Sequence, residues 1–209
     1  MNNPASTVFL VDDEPSVLKA LTRLLRSAGL NAATFASPQT FLERYDQDAP
    51  GCLVLDVAMP GINGLELQQT LTAQGIELPI IFLTGNGDIP MSVRAIKQGA
   101  VDFLTKPVHD NDLIEAIHTA IEKDRIARQA RTELNELQQQ LATLTPRERE
   151  VLSHVVSGKR NKQIADDLGI VEKTIKVHRA HLMVKLKVRS LAELIKLAGR
   201  AGVISSPLE

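Results

Sequence analysis

Short apolar segments that each end in a polar side chain are the feature that most constrains the fold of this chain. Residues 8–11, 52–55, 80–83 and 101–104 are apolar runs of strand length, and residues 31–35 form a fifth, weaker one. Helical segments separate them, several opening at Pro or Ser and closing at Gly. Strand and helix alternate five times, which predicts a doubly wound parallel sheet covered on both faces.

The residues that follow these strands carry functional groups. Asp12 and Asp13 follow the first strand, Asp56 the third, Thr84 the fourth, and Lys106 lies just beyond the last. Because the carboxyl ends of parallel strands meet at one edge, three carboxylates, a hydroxyl and an ammonium are expected around one pocket. An Asp at the end of a strand is also a common turn former, which is the alternative interpretation of Asp56 taken alone.

Clustered carboxylates repel one another, so such a pocket favours a hard cation or a shared proton. Mg²⁺ takes oxygen ligands and is typically held by one or two carboxylates together with phosphate. We expect Asp13 and Asp56 as direct ligands, the Ala58 backbone oxygen as a further ligand, and Asp12 in a water-mediated place.

Asp56 would then act as a nucleophile, because carboxylates can form aspartyl-phosphates. Mg²⁺ and Lys106 would neutralise charge on the transferring phosphoryl oxygens, and Thr84 would donate its hydroxyl to the bound group.

These residues resemble the receiver domain of two-component response regulators. The resemblance is carried by Asp12–Asp13, Asp56 with Met59, Pro60, Gly61 and Gly64, Thr84, and Lys106–Pro107. Residues 83–88 and 101–107 resemble the FixJ branch in particular. The resemblance implies a flavodoxin-like receiver over residues 5–122. It also implies transfer of a phosphoryl group from a histidine-kinase phosphohistidine to Asp56, and a switch in which Thr84 moves toward the phosphate and Phe103 rotates inward. Slow self-dephosphorylation aside, such a protein is not a turnover enzyme.

Charge divides the chain of 209 residues into two halves, which suits two domains. Residues 141–209 hold 13 Lys and Arg against 7 Asp and Glu, a net +6, and the remainder holds 11 against 18, a net −7. The basic half is the candidate for contact with a polyanion. We expect a cytoplasmic protein without a membrane partner. The sequence has a single cysteine, Cys52, and it shows neither an apolar run of roughly 18 residues nor a signal pattern.

Residues 110–140 are predicted to form one long helix. Residues 123–141, which include most of its second half, are predicted to link the two domains. Ile114, Ile117 and Ile121 form the stripe expected to dock on the sheet, whereas residues 123, 124, 125, 128 and 131 are expected to face solvent. Leucines 134, 137, 141 and 144 then recur at intervals of 3, 4 and 3. This spacing fits either a dimer seam or a stripe that packs on the following domain.

The basic half begins with a strong helix start, in which Thr145 is the N-cap, Pro146 the first residue and Glu148 the third. A short helix over 161–168, a turn at Gly169 and a basic helix over 172–186 form a helix-turn-helix pattern, and Ser190 caps a fourth helix. The second helix of this motif enters the major groove of DNA.

Residues 144–152, 161–165 and 174–179 resemble the LuxR/FixJ-type DNA-binding domain, here placed at 142–209 as an all-α, four-helix unit. The resemblance implies that Lys176 and Val177 touch base edges. It also implies that Lys162, Thr174 and Lys185 lie near phosphates and that Arg179 contacts either phosphates or bases. Lys173 belongs to the basic, exposed side of the helix. The alternative is that these lysines only solvate a helix face.

One residue departs from the family pattern. Val171 stands where the family usually has Ser, and loss of that N-cap typically costs about 1 kcal/mol, which leaves the reading register open by one residue. RNA and single strands are usually bound by aromatic stacking, and all six aromatic residues precede residue 104, so duplex DNA is favoured.

The resulting hypothesis is a transcription factor in which phosphorylation of Asp56 switches dimerisation and binding to promoter DNA. The expected partners are a sensor histidine kinase, double-stranded DNA, a second copy of the chain and RNA polymerase. Val93, Arg94 and Lys97 are candidates for the pairing face. Two alternatives are a vestigial receiver with phosphorylation-independent DNA binding, and a free-standing Mg²⁺-dependent phosphatase or phosphotransferase that uses Asp56. The second is disfavoured because Ala58 stands where haloacid-type phosphatases have a second Asp.

Overall fold

A computed structural model describes residues 6–85 and 89–202 and divides the chain into two compact units, Met1–Arg128 and Gln129–Glu209. We call them the N-terminal unit and the C-terminal unit. The predicted boundaries of the receiver at 122 and of the linker at 141 stay predictions. Within the described residues, no helix combines the length and the apolar character that crossing a membrane requires.

The N-terminal unit alternates strands and helices as the sequence predicts. Its elements are β1 (Thr7–Val11), α1 (Pro15–Ser27), β2 (Asn31–Phe35), α2 (Pro38–Arg44), β3 (Gly51–Asp56), α3 (Gly64–Ala73), β4 (Ile80–Thr84), α4 (Ile89–Lys97), β5 (Asp102–Thr105) and the start of α5 (Asp110–Ala142). All strand pairs are parallel, in the order β2-β1-β3-β4-β5. The predicted doubly wound, five-stranded fold is therefore confirmed. The order in which the strands are added to the sheet changes side between β1 and β3, and ligands of such folds bind at this point.

Alternate residues of each strand pack into separate cores on the two faces of the sheet, because successive side chains of a strand point to opposite sides. One core contains the aromatic residues Phe9, Phe35, Phe41 and Phe82. The opposite core contains Val8, Leu10, Val54 and Ile81 with residues of α1 and α5. The predicted docking stripe of α5 lies in this second core, where Ile117 is fully buried and Ile114 and Ile121 are partly buried.

Two glycines allow backbone segments to approach closely at either end of β3. A Cβ on Gly64, the first residue of α3, would lie 2.4 Å from the backbone oxygen of Asp56. A Cβ on Gly51, the first residue of β3, would lie 1.8 Å from the backbone oxygen of Thr7. Both contacts are with backbone, which cannot move aside cheaply, so only glycine fits these positions.

Two sequence expectations about burial are wrong. The helical spacing of α4 predicts burial of Met91, Ala95 and Ile96, but Ile96 is 46% exposed, because Met91 and Ala95 occupy the side of α4 that faces the core. Asp124 was expected to face solvent, but it is only 3% exposed. The sequence also predicts a polar loop over residues 85–88, of which residues 86–88 lie outside the described part of the chain.

Up to residue 202, where the described part of the chain ends, the C-terminal unit contains four helices after the end of α5, as predicted. They are α6 (Pro146–Val156), α7 (Asn161–Leu168), α8 (Glu172–Lys185) and α9 (Leu191–Arg200). Val151, Ile164, Ile175 and Leu182 are completely buried at their centre. Gly169 ends α7 in the left-handed conformation (φ 63°), which a side chain would disfavour, and this allows the tight turn into α8.

The linker leucines pack within the C-terminal unit. Leu137 and Leu144 are buried, and Leu141 packs against the core of this unit. This packing supports the second of the two alternatives, a stripe that packs on the following domain. Leu134 is 41% exposed and does not share this burial.

The start of α8 lies where the sequence places it. Val171 is the N-cap residue and makes no side-chain capping bond, as its hydrocarbon side chain requires. The first helical residue is nevertheless Glu172, as the sequence predicts, while the register in which the helix reads DNA stays a prediction.

A buried ion pair connects the first turn of α6 to the last turn of α8. The Glu148 carboxylate accepts hydrogen bonds from Lys185 Nζ (2.7 Å) and from the Thr145 backbone N–H (2.8 Å). The hydrogen bond from Lys185 is the main reason why the pKa of Glu148 is lowered to about 2, although its burial acts in the opposite direction. A carboxyl group whose pKa is lowered by folding stabilises the fold above its ordinary pKa of 4.5, and this contribution is lost as the pH falls toward 2.

We therefore expect Glu148→Gln to lower the free energy of unfolding by about 1–3 kcal/mol at pH 7, the usual contribution of a hydrogen bond to a charged group. The difference from wild type should shrink as the pH is lowered from 4.5 toward 2, because the Glu148 carboxyl of the unfolded chain becomes protonated in this range while that of the folded chain is still ionised. Urea unfolding of the full chain, followed by circular dichroism, measures both effects.

Glu150→Gln is the matched control, since Glu150 lies on the same helix in an exposed pair with Arg147. That change should alter stability by at most about 1 kcal/mol. Equal losses for the two variants at pH 7 would contradict a special role for Glu148.

Candidate functional site

The ends of β1 and β3 and the residue after β5 bring two acids and a lysine into direct contact. Lys106 Nζ lies 2.6 Å from Asp12 Oδ2 and 2.7 Å from Asp56 Oδ1. Both carboxylates are buried, whereas the lysine is partly exposed. The Lys106 backbone N–H donates to the Thr84 carbonyl oxygen (2.7 Å). This hydrogen bond continues the pairing of β4 and β5 beyond the end of β5 and fixes the backbone position of the lysine.

Backbone groups orient the two carboxylates. Asp12 Oδ1 accepts a hydrogen bond from the Glu14 backbone N–H (2.8 Å), which leaves Oδ2 for Lys106. Asp56 has a backbone hydrogen bond with Ala58. Each carboxylate therefore presents a defined oxygen to the lysine.

The electrostatics of Asp56 and Lys106 are set by burial and by their pairing. Burial raises the pKa of Asp56, and the hydrogen bond and charge of Lys106 offset only part of this increase. Burial alone would lower the pKa of Lys106, but its hydrogen bonds to Asp12 and Asp56 outweigh this effect and raise it. Lys106 is thus held in its charged form. Its charge offsets only part of the effect of burial on Asp56, which suits a carboxylate that is available for reaction.

Thr84 and Phe103, the two residues of the expected switch, lie on neighbouring strands at this edge. Thr84 is buried at the end of β4, in register with Thr105. Phe103 is half-buried, and its ring centroid lies 6.0 Å from that of Phe82. The peptide bond between Lys106 and Pro107 is cis, which sequence analysis did not predict.

The donor chemistry of this edge fits a hard divalent cation. Asp12, Asp13 and Asp56 bring three carboxylates against the single positive charge of Lys106, and the excess is negative. Asp13 is exposed, however, and within the described residues no three acidic, His or Cys side chains are grouped closely enough to hold a metal. In this structure the Lys106 ammonium lies between the two buried carboxylates.

Two tertiary contacts of α3 were not predicted from the sequence. Gly64 belongs to the recognised motif, but its close approach to the Asp56 backbone appears only in the structure. Gln68 is buried one turn later and donates to the carbonyl oxygens of Ala95 (3.3 Å) and Gln98 (3.2 Å), which ties α3 to the end of α4. A glutamine among the leucines of an apolar helix face was the available signal for it.

The outer side of α4 is apolar and exposed. Ile89, Val93 and Ile96 are 79%, 45% and 46% exposed, and Arg94 and Lys97 lie beside them in solvent. The sequence pointed to Val93, Arg94 and Lys97 but not to the two isoleucines. We call Ile89, Val93 and Ile96 the α4 patch.

The expected DNA-binding residues fall into three groups in the C-terminal unit. Lys162 is exposed on α7, and Lys173, Lys176 and Val177 are exposed on α8 at positions that share one helix face. Thr174 and Arg179 are half-buried, and Arg179 Nη1 donates to Asn161 Oδ1 (2.7 Å), which connects the two helices of the motif.

Lys185 is the exception among these residues. Its ammonium pairs with the buried Glu148 and also donates to the Thr143 carbonyl oxygen (3.3 Å). Its geometry therefore favours a structural role over the predicted phosphate contact.

Comparison with known proteins agrees with both units. Residues 8–118 match the family described as "Response regulator receiver domain", and residues 142–198 match "Bacterial regulatory proteins, luxR family". The chain is 45% identical to Nodulation protein W of Bradyrhizobium diazoefficiens, over 97% of this chain and 89% of that protein. It is 39% identical to the transcriptional regulatory protein FixJ of the same organism, over 95% and 97%.

Solved structures give the same result. The response regulator StyR is 49% identical and matches 94% of this chain and 99% of its own with a TM-score of 0.87. Full-length FixJ from B. japonicum is 39% identical and matches 96% and 98% with a TM-score of 0.58. The chain therefore belongs to the FixJ-like two-component response regulators, transcription regulators that join a receiver domain to a LuxR-type DNA-binding domain.

Proposed function

We propose that a sensor histidine kinase phosphorylates Asp56 in a Mg²⁺-dependent reaction, and that this event switches dimerisation and sequence-specific binding to duplex DNA. The observation that carries the proposal is the buried Asp56 carboxylate held 2.7 Å from the Lys106 ammonium at the carboxyl edge of the sheet. An acid with this environment is both sheltered from water and placed beside a fixed positive charge.

In the proposed transfer, an Asp56 oxygen attacks the phosphorus of a phosphohistidine. A P–O bond forms, the P–N bond breaks, and its electron pair returns to the imidazole. Lys106 moves its ammonium from the carboxylates toward the phosphoryl oxygens, and Thr84 donates its hydroxyl to one of them. Asp13 and Asp56, the Ala58 backbone oxygen and, through water, Asp12 would hold Mg²⁺, which supplies further positive charge to the phosphoryl oxygens.

The proposed switch runs through the neighbouring strands to α4. Withdrawal of Lys106 and Thr84 toward the phosphate leaves room for Phe103 to turn inward beside Phe82, 6.0 Å away. The α4 patch then becomes the pairing face of two receivers, because three exposed apolar side chains on one helix gain most by leaving water. Pairing raises the local concentration of the second DNA-binding domain once the first is bound.

The proposed DNA face consists of the exposed side of α8 with Lys162 of α7. Lys176 and Val177 would reach base edges, and Lys162, Lys173 and Thr174 would lie near phosphates. An exposed valine on a helix of this kind suits apolar contact with a thymine methyl group. Two half-sites about one helical turn apart would be bound by the dimer.

The first test is Asp56→Asn, treated with a small-molecule phosphodonor and Mg²⁺. Wild type should gain one phosphoryl group by intact mass measurement and shift toward a dimer by sedimentation, whereas the variant should do neither because its amide is a poor nucleophile. Asp112→Asn, an exposed acid of α5, is the control and should behave as wild type. A persistent adduct on Asp56→Asn would refute the assignment, and an unshifted mass for wild type would favour a vestigial receiver.

The second test separates phosphate contacts from base contacts by salt dependence. Lys162→Ala should reduce the slope of log affinity against log salt by about 0.9, the value of one lost phosphate contact. Val177→Ala should leave the slope unchanged and lose at most about 1–2 kcal/mol of discrimination at one base pair, because it removes two carbon atoms from an apolar contact worth about 0.8 kcal/mol each.

Lys196→Ala is the control for the salt measurement, because Lys196 is exposed on α9 and lines a groove with Glu133 and Gln140 of α5, which contains none of the proposed DNA-binding residues. Its slope should equal that of wild type. If Lys162→Ala and Lys196→Ala gave the same slope, the proposed placement of the DNA face would be wrong.

A further inference from the structure

The side of α5 that docks on the sheet changes from apolar to ionic residues near the end of the N-terminal unit. Ala116, Ile117 and Ala120 pack in the core, and the same side of the helix continues at Asp124 and Arg128. Arg128 is the last residue of the N-terminal unit, and α5 runs on to Ala142. The last attachments of the helix to the receiver are therefore polar.

Asp124 is 3% exposed, and its carboxylate has partners on two elements. Its Oδ2 accepts a hydrogen bond from the Gly51 backbone N–H (2.9 Å), and Arg128 Nε donates to Oδ1 (3.0 Å) and Oδ2 (2.9 Å). A buried carboxylate is tolerated only when it is paired and hydrogen-bonded in this way. The acid thus fixes α5 against the first residue of β3.

Arg128 extends the attachment to the segment that precedes β3. Its Nη1 donates to the Asp48 carbonyl oxygen (3.0 Å), and its Nη2 donates to those of Gln47 (3.2 Å) and Ala49 (2.8 Å). All three guanidinium nitrogens are engaged, with one carboxylate and three successive carbonyl groups. A planar fork with several donors can serve these acceptors together, whereas a lysine ammonium could not match the same arrangement.

Strand β3 connects this attachment to the phosphoacceptor. It begins at Gly51, which contacts Asp124, and ends at Asp56. The start of the strand has little freedom to move, because Gly51 lies against the Thr7 backbone so closely that a Cβ would not fit. The two ends of one buried strand thus hold the reacting carboxylate and the linker helix.

We propose that Asp124 and Arg128 are positioning residues that anchor the linker helix to the receiver and transmit the phosphorylation state of Asp56 to the DNA-binding domain. The transmission part rests on the proposed function above. The two residues fix the position at which α5 leaves the receiver. A conformational change around β3 therefore alters the start of the linker, whereas a helix that frayed at this point would not transmit it.

The test compares two double variants of the full chain. Asp124→Asn/Arg128→Gln removes the anchor without leaving a buried charge unpaired, which a single change would do and which could prevent folding. Glu122→Gln/Arg125→Gln removes an exposed ion pair on the same helix and is the matched control. Three quantities are measured: hydrogen exchange of residues 121–131, the mass gain after phosphodonor and Mg²⁺, and the fold-change in DNA affinity caused by the phosphodonor.

The anchor variant should exchange its amides over 121–131 about tenfold faster or more, because losing charged buried hydrogen bonds shifts the opening equilibrium by at least that factor. It should still gain one phosphoryl group. In wild type and in the control, the phosphodonor should raise DNA affinity by about 5- to 150-fold, the usual range of such coupling, and in the anchor variant this factor should fall toward one.

Each other outcome has a definite meaning. If wild type takes up the phosphoryl group without any gain in DNA affinity, the proposed switch fails, and the transmission role of the anchor fails with it. If wild type responds and the anchor variant responds equally, the switch stands and the transmission role is refuted. Unchanged exchange over 121–131 in the anchor variant would refute the anchor itself.

Discussion

The contact of the Lys106 ammonium with Asp12 and Asp56 is the interaction on which the arrangement of the receiver depends. It joins the end of β1, the end of β3 and the residue after β5, at distances of 2.6 and 2.7 Å. Two buried carboxylates would repel one another without this cation, and the partly exposed lysine gives them the opposite charge that their burial requires. In the proposed transfer, Lys106 exchanges its ion pair with Asp56 for one with the phosphoryl group.

Much of this site follows from the sequence, because parallel strands of known order place the residues after them at one edge. Asp12, Asp56 and Lys106 needed only the positions of three strand ends. Residues whose role depends on a partner far away in sequence could not be found in this way. Asp124 looks like a solvent-facing residue of a charged helix, and only the fold brings the Gly51 amide 73 positions away to its carboxylate.

The C-terminal unit shows the same division between local and tertiary information. The Thr145 cap and the glycine turn at Gly169 are local features, so the helix boundaries follow from the sequence. Lys185 looks like one more basic residue of the recognition helix, but the buried Glu148 of another helix engages it. A basic helix therefore contains lysines with different tasks, and its charge alone does not tell which of them are available to DNA.

The proposed chemistry depends on the binding of Mg²⁺ at the acidic edge of the sheet through Asp13 and Asp56, next to the Lys106 ammonium that contacts Asp56. Calorimetric titration of the full chain with Mg²⁺ tests it most directly. Wild type should bind one ion, and Asp13→Asn should bind it markedly more weakly, because a hard cation loses a charged oxygen ligand. Lack of saturable binding to wild type, or equal affinity for the two proteins, would contradict the account.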